Sequence, residues 1–84
     1  MIKVKAYGHL GRALGKKEFE IDKNEIKVKD ILPLITSSSD SKFRISPLTI
    51  LIVVNGVEIS ALNQEDTIVK SGDELALIPI THGG

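Results

Sequence analysis

A chain of 84 residues without cysteine forms one small domain, held by a single modest core and by neither disulfides nor thiolate metal ligands. Eleven Lys and Arg balance eleven Asp and Glu, which argues against a nucleic-acid-binding module, whose usual footprint is a basic face. The two histidines, His9 and His82, share no metal-ligand spacing, so no metal site is expected.

Ile2, Val4 and Ala6 alternate with Lys3, Lys5 and Tyr7, predicting an amphipathic first strand. Leu10, Ala13 and Leu14 follow at helical spacing and stop at Gly15, so residues 8–17 read as a loop holding about one turn of helix. Residues 18–22 alternate again and predict the return strand of a hairpin. Val28, Ile31, Leu32 and Ile35 then fall on one face of a helix over residues 28–37. Pro33 removes a backbone donor there, so it should kink the helix or sit in its first turn. The serine-rich residues 37–41 end the helix in a loop.

Residues 49–54 are nearly all apolar and mostly β-branched, which predicts a strand covered on much of both faces. Asn55-Gly56 is the strongest short hairpin signal in the chain, with residues 57–59 as the return. Residues 66–69 lead into a turn at 71–73, and the last strand spans 74–80. Leu75 and Leu77 mark one face of that strand; Ala76, Ile78 and Ile80 mark the other. The layout is α+β, with one main helix across a mixed sheet of about four to five strands. Residues 1–80 make the domain, and residues 81–84 should form a flexible tail.

The longest apolar run, Ile50–Val54, is far too short to cross a membrane, and Met1 leads straight into a strand pattern rather than a signal peptide. A cytoplasmic location is therefore expected. Charge is uneven along the chain. Residues 1–30 carry a balance of +3 and residues 55–84 one of −4. That is either ordinary solvated surface or an acidic face that meets a basic partner. Asp73 and Glu74 follow a turn glycine and read as turn residues rather than a general acid/base pair.

The ending His82-Gly83-Gly84 carries the functional signal. Glycines thread a narrow partner channel, and a terminal glycine carboxylate is unhindered toward attack on ATP. Met1 to Val4, the stretch from Leu10 to Gly15, Val53-Val54-Asn55-Gly56, Ser71-Gly72-Asp73-Glu74-Leu75 and the close from Pro79 to Gly84 together resemble the small sulfur-carrier subunit of molybdopterin synthase. The last three residues also resemble the ubiquitin-related modifiers that serve tRNA thiolation. One departure is Pro79-Ile80, where the molybdopterin carriers typically show two prolines.

The resemblance implies a β-grasp (ubiquitin-like) fold and a carrier rather than an enzyme. A ubiquitin-activating-type enzyme would adenylate Gly84, using ATP that the carrier itself does not bind. Sulfur would then replace a carboxylate oxygen to give a thiocarboxylate. Partners implied are that adenylating enzyme and the large subunit of molybdopterin synthase or a tRNA-thiolating enzyme, with no membrane and no direct nucleic-acid contact. Thr81, His82 and Gly83 form the tail that enters the partner. In the grasp topology the first and last strands are neighbours, which would join Tyr7, Ile78 and Ile80 in an exposed apolar partner surface. Arg12 is either solvated or in contact with an acidic activating enzyme. Two other functions compete: a protein modifier joined through Gly84 to target lysines, and a plain β-grasp binding module.

Overall fold

The computed structural model describes residues 1–36 and 50–80. The expected serine-rich loop, Thr49 and the tail residues Thr81, His82, Gly83 and Gly84 lie outside the described residues.

The first hairpin forms as the alternation predicts. β1 (Ile2–Ala6) pairs antiparallel with β2 (Glu18–Ile21), and a short helix α1 (His9–Leu14) bridges them. Gly8 opens that helix at φ 57°, where a Cβ would stand 3.0 Å from the Pro79 ring; only glycine tolerates both conditions. The chain then forms β3 (Glu25–Lys27) and the main helix α2 (Val28–Thr36). β4 (Ile50–Val54) turns through Asn55 and Gly56 into β5 (Val57–Glu58). Both turn residues have positive φ, 49° and 85°, as a tight hairpin turn of this kind requires. Two single 3₁₀ turns, at Ile59–Ala61 and Gln64–Asp66, lead to β6 (Ile68–Lys70) and β7 (Glu74–Pro79).

The main sheet has the order β2-β1-β7-β4-β5, with β1 and β7 parallel at its centre. One face of it holds the core. Ile2, Val4, Ile52, Leu75 and Leu77 meet Val28, Ile31 and Ile35 of α2, and Leu10 and Leu14 of α1 close one end. Fully burying one such aliphatic side chain stabilises the fold by about 1.5–3 kcal/mol. Among the described residues β3 and β6 form a second, two-stranded sheet beside α2.

The structure refines the sequence expectations at several points. β4 is not covered on both faces: Ile50, Ile52 and Val54 are buried, whereas Leu51 is exposed and Val53 half-buried. Period-2 burial was hidden because both faces carry aliphatic residues. Pro33 is the sixth residue of α2, past its first turn, and is exposed, so the carbonyl it leaves without an N–H partner, on Lys29, belongs to an exposed residue. The hairpin return is only two residues long, because Glu58 caps the following 3₁₀ turn by accepting from the Ser60 N–H. The β3–β6 ribbon is new. Three-residue strands show no periodicity, and their pairing is non-local.

Candidate functional site

The sheet face opposite α2 is built by strand parity. In β1 it carries Lys3 and Lys5; in β7, Glu74, Ala76 and Ile78; in β4, Leu51 and Val53. Register sets Ala76 between Lys5 and Val53 and sets Leu51 beside Ile78. Tyr7 continues the line of β1 because its N–H donates to the Leu77 carbonyl at 2.9 Å. Tyr7, Val53, Ala76, Ile78 and Leu51 therefore form a continuous apolar area, which no described helix covers. Tyr7 is 46% and Leu51 37% exposed. A hollow of about 330 Å³ opens between Tyr7, Val53 and Ala76, with Asn55, Gly56 and Glu74 at its rim. Exposed apolar areas rimmed by polar residues commonly mark protein contact surfaces.

Tyr7 and Ile78 thus share the face that strand parity assigns them. Ile78 is half-buried rather than exposed, since Leu51 crowds it from β4. Ile80, just beyond β7, is 37% exposed. Leu51 and Val53 were not singled out from sequence. The signal that finds them is the alternation of β4 once β7 is known to lie beside it.

Charges ring this area. Lys3 pairs with Glu18 at 3.5 Å and Lys5 with Glu74 at 3.4 Å. The Glu74 carboxylate raises the pKa of Lys5 by its charge and its hydrogen bond. Glu18, Glu20, Glu58 and Glu74 outnumber Lys3 and Lys5 on the sheet, so the rim is acidic in balance.

Asp73 is committed to structure. Its carboxylate accepts from the Lys70 N–H at 2.8 Å and from the Asn55 side-chain amide at 3.0 Å. Those two donors, Lys70 first, hold its pKa below the usual carboxylate value. Asp73 is thus a turn residue, as the sequence indicates, and Glu74 is occupied by Lys5. Arg12 is an exposed residue in the last turn of α1, the helix whose Gly8 entry abuts Pro79 at the end of β7. Gly84 and its neighbours Thr81, His82 and Gly83 lie outside the described residues.

No curated protein sequence matches the chain. The small archaeal modifier protein 1 of Methanosarcina acetivorans is similar in structure, with a TM-score of 0.76 at 29% identity, over 99% of this chain and 95% of that one. A chain of the Amycolatopsis orientalis BexX/CysO complex superposes with a TM-score of 0.77 at 21% identity, over 100% of both chains. A putative molybdopterin converting factor, subunit 1, from Pyrococcus furiosus does so at 0.69 and 20% identity, over 95% of this chain and 97% of that one. At those last two identities the likeness establishes the β-grasp fold. The ThiS family model matches residues 4–84, nearly the whole sequence, and the chain belongs to the ThiS family of ubiquitin-like β-grasp sulfur carriers.

Proposed function

We propose that this sulfur carrier works through the carboxyl group of Gly84 and that the open sheet face docks the enzyme that activates it. The supporting observation is the apolar line on β7. Ala76, Ile78 and then Ile80 lead along the chain toward Gly83-Gly84, with Tyr7, Leu51 and Val53 flanking them. Only four residues separate Ile80 from the C-terminus, so a partner seated on this line is within a short stretch of sequence of Gly84.

The chemistry is that of acyl activation. The Gly84 carboxylate attacks the α-phosphate of ATP held by a ubiquitin-activating-type enzyme, and pyrophosphate leaves. Hydrosulfide then displaces AMP, leaving a thiocarboxylate at the terminus. The carrier needs no cofactor of its own. It contains no cysteine, so no internal thiol competes for the activated acyl group. The sulfur is delivered to a molybdopterin precursor on the large subunit of its synthase, or to tRNA on a thiolating enzyme. The acidic rim favours a partner surface with an apolar centre and basic edge.

Intact-mass measurement after incubation with an activating enzyme, ATP and a sulfur donor tests this. The expected result is the mass increase of one oxygen-to-sulfur exchange at the C-terminal peptide. Unchanged mass with ATP consumed would overturn it. A second reading is favoured by the 29% identity to a small archaeal modifier protein. Here the same adenylate is attacked by a lysine of a target protein, and a Gly-Gly remnant on lysines of proteolysed cellular protein identifies it.

A further inference from the structure

On the helix side of the sheet, away from the open face, a shallow groove of about 580 Å³ runs between β3 and α2. Its apolar lining comes from Ile26, Leu34 and Ile68. Leu34 is 49% and Ile68 47% exposed, and both are large aliphatic residues left at a surface the core does not use. Lys23, Lys27 and Lys29 stand around them against Glu25 and Asp30, giving the groove a basic balance. This contrasts with the acidic rim of the open face.

β3 supplies a second feature. Among the described residues it pairs only with β6. The Asn24 carbonyl and the Val28 N–H are both bonded toward β6, to Ser71 and Thr67. Antiparallel alternation then turns the N–H groups of Glu25 and Lys27 outward. Among the described residues no strand takes that edge. An open strand edge beside aliphatic side chains accepts an extended peptide, whose backbone bonds to the edge while alternate side chains enter the groove.

Charge selects the peptide. Lys27 and Lys29 share Asp66, at 3.8 and 3.1 Å, and Asp66 lies outside the groove lining. Among the described residues no ion pair holds Lys23. Carboxylates arriving in the groove would therefore meet one uncommitted ammonium and two that share a single partner.

We propose that this groove binds a short extended segment of a partner protein in which aliphatic residues are flanked by Asp or Glu. It is a second interface: the groove and the hollow of the open face share no lining residue, so a receptor bound there leaves that face accessible. The carrier or modifier can then be recognised by one protein while another activates it.

The test uses the full chain labelled with ¹⁵N and a synthetic peptide Asp-Val-Ile-Val-Leu-Asp-Glu as probe. A control peptide has Asn and Gln in place of the acids. The expected result is amide shifts at Glu25, Lys27 and Ile68 with Ala76 unmoved, and affinity about tenfold weaker for the neutral control. Lys23→Glu should weaken the probe similarly, and Ile68→Lys should do so by removing the apolar contact. Both positions are exposed, and an unchanged spectrum away from the groove verifies their fold. Absence of shifts at millimolar probe, equal binding of the neutral peptide, or shifts centred on Ala76 would each overturn the proposal. So would the same shifts from inorganic phosphate alone, which would make the groove an anion site. Thiocarboxylate formation should proceed normally in Lys23→Glu. Its loss would contradict the independence of the two surfaces, whereas failure of the Gly84 chemistry in the unaltered chain would leave peptide binding unaffected.

Discussion

The Asn55 side-chain amide donates to the Asp73 carboxylate at 3.0 Å and so ties the β4–β5 turn to the turn that starts β7. The same Asn55 accepts from the Glu74 N–H through its side-chain oxygen, also at 3.0 Å. Its own N–H donates to the Glu74 carbonyl at 2.9 Å. One residue thus fixes where β7 begins, and with it the register of the strand that leads to the chain end.

This clasp makes stability pH-dependent. The Lys70 N–H and the Asn55 amide lower the folded pKa of Asp73, so the unfolded chain binds its proton more readily. The contribution is present above the ordinary Asp value of 3.8 and is lost as pH falls through the lower folded value. Glu58, held down by its bonds to Ser60, and Asp66, held down by Lys29, act in the same direction. Urea melts of Asn55→Ala should show a loss of about 1–3 kcal/mol at neutral pH, because two side-chain hydrogen bonds go, each contributing about 0.5–1.5 kcal/mol. The same variant should lose less further stability on acidification than the parent. An equal acid slope in both would remove Asn55 from the account.

Neighbouring residues of β7 should behave oppositely. Leu77 is fully buried, so Leu77→Ala should cost about 2–5 kcal/mol of stability. Ile78 is half-buried on the open face, so Ile78→Asp should cost about 1–2 kcal/mol. Its larger effect should be on docking to the activating enzyme, at roughly 2–4 kcal/mol for a central anchor. Leu51→Asp should resemble Ile78→Asp. Calorimetry of the fold and of the complex separates the two effects. If Ile78→Asp bound normally, the open face would not be the docking surface.

Removing Gly84 should abolish thiocarboxylate formation and leave the melting temperature unchanged, because the last buried core residue among those described is Leu77, seven residues earlier. Gly83→Ala should retain the fold and slow adenylation if the chain end threads a narrow partner channel, where an added methyl has no room. Normal adenylation of that variant would mean the chain end is not tightly enclosed.

Gly8→Ala should destabilise by about 1–3 kcal/mol, the range for a side chain forced into a sparsely populated backbone region. The added methyl also meets the Pro79 ring at 3.0 Å, so the end of β7 must move. Activation should fall along with stability. A variant that matched the parent in both would show that the Gly8–Pro79 contact is dispensable.

Association with the activating enzyme should slow as salt is added, because the acidic rim is exposed and the Debye length shrinks from about 10 Å at 0.1 M to about 3 Å at 1 M. Stopped-flow measurement across that range reads the effect directly. A salt-independent on-rate would mean that the rim does not steer docking.

The local elements were legible in the amino-acid order. Alternation in Ile2 to Tyr7, the helical spacing of Val28, Ile31 and Ile35, and Asn55-Gly56 each depend on neighbours a few residues apart, where backbone sterics and solvent decide. The sequence also carried the sulfur-carrier ending at Gly83-Gly84 and the parity that sets Tyr7 and Ile78 on the face opposite the core. What tertiary structure alone decided is which distant residues share a surface. Leu51 and Val53 look like core residues in a run of aliphatics, and only the antiparallel register with β7 turns them toward the open face. The β3–β6 ribbon, and the groove it makes with α2, were invisible for the same reason. Strands of three residues have almost no propensity of their own, and their hydrogen bonds exist only after the helix and the main sheet have brought the two segments together.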